Sequence, residues 1–372
     1  MLNIKKSRLL SGKLKFYIPV LFVFLLCLID IGSLFAQSGL PELIPYRKGS
    51  KWGFANKTGK VVILCRYDWT WFFSEGCAKV ELNGSYGFID ETGNEVTQLK
   101  YEDAWSFSEG LAAVQLNKKW GFIDNSGDVF IPLKYDKVSD FGEGIAVVAL
   151  NRRYGFIDNT GSEIIPLIYE SAGNFNEGLA AVQLNGKWGF IDNTGKEVIP
   201  FKYDAAGSFN EGYAPVKLNN KYGSVDKNGT EVISFKYDNI FWFYEGLASV
   251  ELNKKFGFID TRGNEVIPIK FDFAQSFTEG LAWVKLNGKN GFIDKAGKEV
   301  IPLKYEGAGS FSEGLAVVQI NGKYGFIDKN GNVVISAKYQ TIIGDFTEGL
   351  ALVMSNYKSG YIDKNGTEYW ED

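Results

Sequence analysis

The chain has 372 residues, 45 % of them hydrophobic and 23 % charged, a formal net charge of −4 and no histidine. The missing histidine removes the usual general base, the Ser–His and Cys–His pairs and the commonest metal ligand. Three cysteines, one of them in the leader, are too few for a cysteine zinc site.

Residues 1–36 stand apart from the rest. Lys5, Lys6, Arg8, Lys13 and Lys15 form a basic head, Phe16 to Ile29 is almost wholly apolar, and Ser33-Leu34-Phe35-Ala36 offers small residues before Gln37. This is the layout of a bacterial secretory signal cleaved after Ala36. A retained membrane anchor is the alternative, but the apolar run contains Pro19 and is shorter than the roughly 20 residues a spanning helix needs. Cleavage removes five cations and one acid, so the mature chain carries about −8. That charge argues against nucleic acid or an anionic membrane surface as partner, since both need a clustered basic face.

The remainder, 37–372, is periodic. A Trp/Tyr-Gly dipeptide places glycine at Gly53, Gly87, Gly121, Gly155, Gly189, Gly223, Gly257, Gly291 and Gly325, each 34 residues after the last, and at Gly360 after 35. Leu43 to Lys48 aligns with the first strand of such a unit. Cys65 and Cys77 follow in the first repeat, at positions that hold Leu99 and Leu133, and Leu111 and Leu179, in later copies. They can form a disulfide if adjacent strands bring them together in an oxidising compartment; otherwise they are two small buried apolar residues.

Leu179 to Asp204 represents one unit. Leu179-Ala-Ala-Val-Gln-Leu184 is a short apolar strand, and Asn185-Gly186 is a hairpin signal because both turn positions favour positive φ. Lys187-Trp-Gly-Phe-Ile191 is a second strand, closed by Asp192-Asn-Thr-Gly195, which fits a type I turn ending on a left-handed glycine. Glu197-Val-Ile-Pro-Phe-Lys-Tyr203 is a third, and Pro200 places it at a sheet edge or breaks it there. Asp204 to Gly212 then leads to the next unit through Phe209-Asn-Glu-Gly212, whose phenylalanine is expected between neighbouring units. The expected fold is all-β, a tandem array of about ten three-stranded antiparallel meanders in an open twisted solenoid or superhelix. A closed propeller-like ring is the alternative, weakened because propeller blades use four strands and about 40–45 residues. A helical tetratricopeptide array of the same period is excluded by the Asn-Gly turns, the prolines and the lack of a 3.6-residue apolar stripe.

Lys187-Trp-Gly-Phe-Ile-Asp-Asn-Thr-Gly-Lys-Glu-Val-Ile-Pro200 with Phe209-Asn-Glu-Gly212 resembles the WG (KWG) repeat family of bacterial proteins, over about residues 43 to 372. The resemblance implies an all-β repeat scaffold, often exported, with a role in interaction. Phe256, Asn290 and Ser359 replace the aromatic of the dipeptide, and Phe54-Ala-Asn56 replaces Phe-Ile-Asp in the first copy. The aromatic is therefore a packing device that single units can lose.

Carboxylates are plentiful but periodic, with Glu109, Glu143, Glu177, Glu211, Glu279 and Glu313 in one column and Asp124, Asp158, Asp192, Asp260 and Asp328 in another. A glycosidase needs one pair in unlike environments, and no pair is singled out. These columns read as turn caps; calcium at the Asp turns lacks the ladder of oxygen ligands it requires. No phosphate-cradling glycine loop is present, and no cofactor or metal is expected.

The departures from the template are aromatic and lie in the connections, at Trp69, Trp71, Trp105, Phe241, Trp242 and Tyr244; most other copies hold small or polar residues such as Gly173, Gly207, Ser208 and Ser276 at the sites of Trp71 and Trp242. Such residues either form a surface for a partner or a sugar, or fill local packing beside small neighbours. The expected function is an exported, non-catalytic repeat scaffold, periplasmic or at the cell surface. It would bind a protein or carbohydrate of the cell envelope through these six residues, without a membrane span after cleavage. A structural spacer with no dedicated site is the second reading, and a glycan hydrolase the weakest.

Overall fold

A computed structural model describes residues 39–372, so the leader assigned to 1–36 lies outside the described residues. Leu40–Asp372 is one compact array, all β and without helix among the described residues. The hairpin in the representative unit pairs Leu179–Leu184 with Lys187–Asp192 in continuous antiparallel register. Asn185 and Gly186 turn it with φ of 51° and 73°, the mirror-image turn that matches strand twist.

Strand Glu197–Tyr203 follows, but its register is broken: Ile199 faces Phe190 while Tyr203 faces Trp188. Pro200, Phe201 and Lys202 thus bulge opposite the single residue Gly189. The bulge explains two repeated residues at once. Pro200 falls where no ladder hydrogen bond is made, so its missing N–H costs nothing. Gly189 lies beneath the bulged backbone, where an added Cβ would come 2.7 Å from the Ile199 carbonyl oxygen. No side chain fits there.

The connections contain strand as well. Ser171–Ala172 pairs with Leu179–Leu184 as an additional edge, so most sheets have four strands where three were expected. Two residues are too few to show an apolar alternation, and small polar side chains hide the pairing. In one sheet the last edge is reduced to isolated bridges, Tyr86 to Tyr101 and Ile89 to Glu95.

The core lies between successive sheets. Leu179, Ala181, Phe190, Ile199 and Tyr203 of one unit pack against Ala214, Val216 and Val225 of the next, with Phe209 of the connection between them. Phe209 meets Phe190 edge-on at a centroid distance of 4.9 Å, and the same pair recurs as Phe122 with Phe141 and Phe292 with Phe311. Each buried phenylalanine contributes about 2 kcal/mol of transfer free energy, which a lone meander could not gather.

Among the described residues no sheet closes on itself, and the array is a succession of separate small sheets, as read from the sequence. Its two ends, however, are not free. The first strand, Ile44–Lys48, pairs in parallel with the last, Glu368–Glu371, in the register Arg47 to Trp370 and Lys48 to Glu371. First and last units share one core of Ile44, Tyr46, Trp52, Leu350, Tyr361 and Tyr369. The expected array of separate small antiparallel sheets is what the structure holds, with its first and last strands joined edge to edge. In that shared sheet Glu368–Glu371 stands between Lys358–Asp363 and Ile44–Lys48. Each end supplies the edge the other lacks.

Candidate functional site

The carboxylate columns are occupied by structure. Asp192 Oδ1 accepts the Thr194 and Lys196 backbone N–H groups at 2.9 and 3.0 Å and the Thr194 hydroxyl at 2.6 Å. Glu211 reaches one unit ahead, accepting the N–H groups of Glu245 at 2.6 Å and Gly246 at 2.9 Å; Glu177 caps Gly212 and Glu279 caps Gly314 in the same way. Lys295 and Lys329 add ion pairs to Glu245 and Glu279, each at 3.0 Å. A third acidic position holds both a lysine and a turn: Asp136 binds Lys119 Nζ at 2.6 Å and the Asn151 N–H at 2.7 Å.

These bonds hold Asp90, Asp124, Asp158 and Asp192 below the ordinary aspartate range, chiefly through the hydroxyl donor in each turn, and hold Asp68, Asp136 and Asp238 there chiefly through lysine. Folded-state values below the unfolded ones give stability that is fully present above the ordinary value of about 3.9 and is lost as pH falls through the depressed values. With no histidine, nothing of that class titrates nearer neutrality. The melting temperature should be flat from roughly pH 6 to 8 and drop below about pH 4. A circular dichroism melt unchanged down to pH 3 would contradict this role for the columns.

The six aromatic candidates fall into two groups. Trp69 packs on Trp52 at 4.7 Å, and Trp71 lies 5.9 Å from Tyr86 with the Lys79 ammonium 3.8 Å above its ring. Lys79 Nζ also donates to the Ala104 carbonyl at 2.7 Å, and burial draws its pKa below the ordinary lysine value. Trp105 packs on Trp120 at 5.5 Å, and Phe241 lies 6.3 Å from Phe256. All four are half-buried.

Size complementarity accounts for two of them, Trp105 and Phe241. Trp105 donates its backbone N–H to Ala113, whereas Gly207 donates to Pro215 and Gln275 to Trp283 across the same strand pair. Where the connection is small the facing strand is large: a Cβ on Gly207 would meet the Pro215 ring at 2.9 Å, and one on Gly309 would meet Val317 at 2.6 Å. Trp71 and Phe241 share the position of Trp105; Phe241 stands at the place facing Ser249, whereas Trp71 is covered by the Lys79 ammonium. The sequence reading of these as contacts competes with this packing role, which the geometry supplies in full.

Trp242 and Tyr244 differ. They are 41 % and 43 % exposed. The Trp242 indole N–H is spent on the Ser208 carbonyl of the preceding unit, at 3.0 Å, which fixes the ring and leaves a face to solvent. Three adjoining hollows meet at this indole. One of about 340 Å³ is bordered by Trp242, Tyr244, Gln275, Ser276, Thr278 and Ser310. A second of about 220 Å³ adds Asn176, Ser208 and Asn210, and a third of about 320 Å³ lies against Gly207, Pro215 and Phe241. No charged side chain lines any of the three.

The polar members were not singled out from the sequence, though a signal existed. Ser208, Ser276 and Ser310 occupy the repeat position of Trp242 in neighbouring units, and Asn176, Asn210 and Thr278 that of Tyr244. A further hollow of about 400 Å³, bordered by Lys289, Tyr305, Glu306 and Asn321, is built only from template positions. Cys65 and Cys77 are free thiols in different cores, Cys65 at the closing seam with its thiol 3.5 Å from the Tyr46 carbonyl and Cys77 against Phe88 and Phe107. They do not form the disulfide the sequence allowed, because each is turned into its own inter-unit core.

The model of the WG containing repeat matches the chain nine times, at residues 52–86, 86–120, 120–153, 154–188, 188–222, 222–256, 256–289, 291–324 and 324–358. No curated protein matches it. Among solved structures, a eukaryotic initiation factor is similar over 78 % of this chain and 94 % of that one, with a TM-score of 0.53 and 11 % identity. The extracellular domain of a putative one component system from B. thetaiotaomicron aligns over 89 % of this chain and 57 % of that one, with a TM-score of 0.33 and 11 % identity. Hsv2p of Kluyveromyces lactis aligns over 51 % and 72 %, with a TM-score of 0.35 and 11 % identity. At such identities the first likeness is one of fold alone.

Proposed function

The chain belongs to the family of WG-containing repeat proteins, and from that premise we propose that it is an exported, non-catalytic scaffold binding a protein or glycan of the bacterial cell envelope. The leader pattern of residues 1–36 motivates export, to the periplasm or the cell surface. The observation that carries the binding assignment is the exposed pair Trp242 and Tyr244 at the meeting point of three uncharged hollows. Large aromatic faces left in solvent beside concave surface are the usual anchors of recognition. Phe241 borders two of these hollows, whereas Trp69, Trp71 and Trp105 pack within other units. A spacer role is less favoured, since closure of the array removes the free ends by which a spacer would extend.

Changing Trp242 and Tyr244 to serine should leave the melt within a few degrees of the parent, since neither side chain is buried. Capture of envelope material by the immobilised protein should be lost. A folded double variant that captures the same material as the parent would refute the assignment of the site.

A further inference from the structure

The chemistry around Trp242 selects among ligand classes. The indole offers its face and not its N–H, which already serves the Ser208 carbonyl at 3.0 Å. Around that face stand the Tyr244 hydroxyl, the Gln275 carboxamide and the Ser276 and Ser310 hydroxyls, all lining the 340 Å³ hollow. The Thr278 hydroxyl oxygen in the same wall is buried and has no hydrogen-bond partner among the described residues. A buried hydroxyl left unpaired costs free energy until something bonds to it. On the other side of the indole the smaller hollow presents Asn176 and Asn210 carboxamides.

Charge is kept away from this surface. Glu245, adjacent in sequence, is tied to the Gly280 N–H at 3.1 Å and to Lys295 at 3.0 Å. Elsewhere in the array the repeat position of Trp242 holds Asp140 and Asp345, so the neutrality belongs to this stretch and not to the repeat. An anion would find no cation here, and a cation no carboxylate. A peptide would bring backbone amides but also charged side chains and termini that the lining does not answer. A ring with one apolar C–H face and a rim of hydroxyls fits both halves: the face stacks on the indole, and the hydroxyls exchange bonds with amide and hydroxyl groups that both donate and accept.

We infer that the Trp242 surface is a binding site for a neutral oligosaccharide, one sugar ring stacked on the indole and the chain running into the hollows on either side. This deepens the binding reading above and rests on it. Two hollows flanking one platform suit a chain better than a monosaccharide, and the larger falls within the roughly 300–1,000 Å³ of small-ligand sites.

The test uses the full chain in affinity electrophoresis and titration calorimetry against soluble neutral polysaccharides (β-glucan, xylan, mannan, arabinogalactan) and acidic ones (polygalacturonate, chondroitin sulphate). At least one neutral polymer should bind, with affinity insensitive to high salt. Trp242→Ala should weaken it roughly tenfold or more, Gln275→Ala and Thr278→Val less, and Trp242→Phe should restore part of the loss. Tyr357→Ala, at an exposed aromatic that lines none of the three hollows, should bind as the parent does. Binding confined to acidic polymers, no binding to any polymer, or neutral binding that survives Trp242→Ala overturns the inference. If the Trp242 and Tyr244 double variant nevertheless loses a proteinaceous envelope partner, the site stands and only the carbohydrate class falls.

Discussion

Removing residues 367–372 should lower the melting temperature by roughly 8 °C or more and expose both ends of the array to protease. The deletion takes away the strand that pairs with Ile44–Lys48 and the side chain of Tyr369, 1 % exposed in the shared core. Emptying a buried aromatic site costs about 3–5 kcal/mol, and for a chain of this size each kcal/mol is worth about 2 °C. It also strips Arg47, 4 % exposed, of its carboxylate: the guanidinium bonds Asp372 at 3.1 Å while its Nε donates to the Ser359 carbonyl at 2.7 Å. A buried cation left with fewer partners adds to the loss.

The size of the effect separates two architectures. In an open array of nearest-neighbour units, a terminal strand has a partner on one side only, and trimming it frays an end that was already frayed. In a closed array the same strand is an internal interface, and its loss creates two ends. Thermal melts together with limited proteolysis distinguish these cases: new cleavage is expected both in residues 44–55 and in residues 350–363. A truncated chain melting within about 2 °C of the parent, with an unchanged cleavage map, would mean that the seam contributes nothing.

What the sequence discloses depends on whether a feature repeats. Asn185-Gly186, the Asp192 turn and Phe209 each recur many times, and each is placed as their chemistry requires. The strand Ser171–Ala172 repeats too, but two small residues carry no period, so the unit reads as three strands. The pairing of residues 44–48 with 368–371 occurs once, so the departures that serve it, Tyr46, Arg47 and Tyr369, have no second copy to be compared with. The aromatic departures are visible in the sequence, but their meaning depends on the facing strand. Trp105 opposite Ala113 is filling space, while Trp242, turned toward Ser208, is fixed and left open. The residue eight positions on, Ala113 for Trp105 and Ser249 for Phe241, separates these two from Trp242 only once the strand pairing is known.

Gly121→Ala should be strongly damaging, costing about 3 kcal/mol or more. A Cβ there would sit 2.4 Å from the Ile131 carbonyl oxygen and 2.7 Å from the Leu133 nitrogen. Both are backbone atoms of the Pro132 bulge, held by strands on one side and the next unit's core on the other, so neither can yield cheaply. Two other glycines isolate this cause. Gly110 has φ of +82° and nothing within 4 Å of an added Cβ. Gly110→Ala should therefore cost only the left-handed penalty of about 1–2 kcal/mol. Gly87 is the same dipeptide glycine in a unit without the proline bulge, and its nearest atoms are at 3.1 Å. Gly87→Ala should be milder than Gly121→Ala although the sequence motif is shared. Urea denaturation of the three variants measures the order, provided the slope of the transition is unchanged. Equal losses at Gly87 and Gly121 would mean that the glycine answers to a backbone preference common to every unit. The predicted inequality instead ties it to the bulge that folds the chain directly over the glycine, since Gly53, Gly223 and Gly325 meet that backbone at 2.4, 2.5 and 2.4 Å with Leu64, Ser234 and Ser336 in the place of the proline.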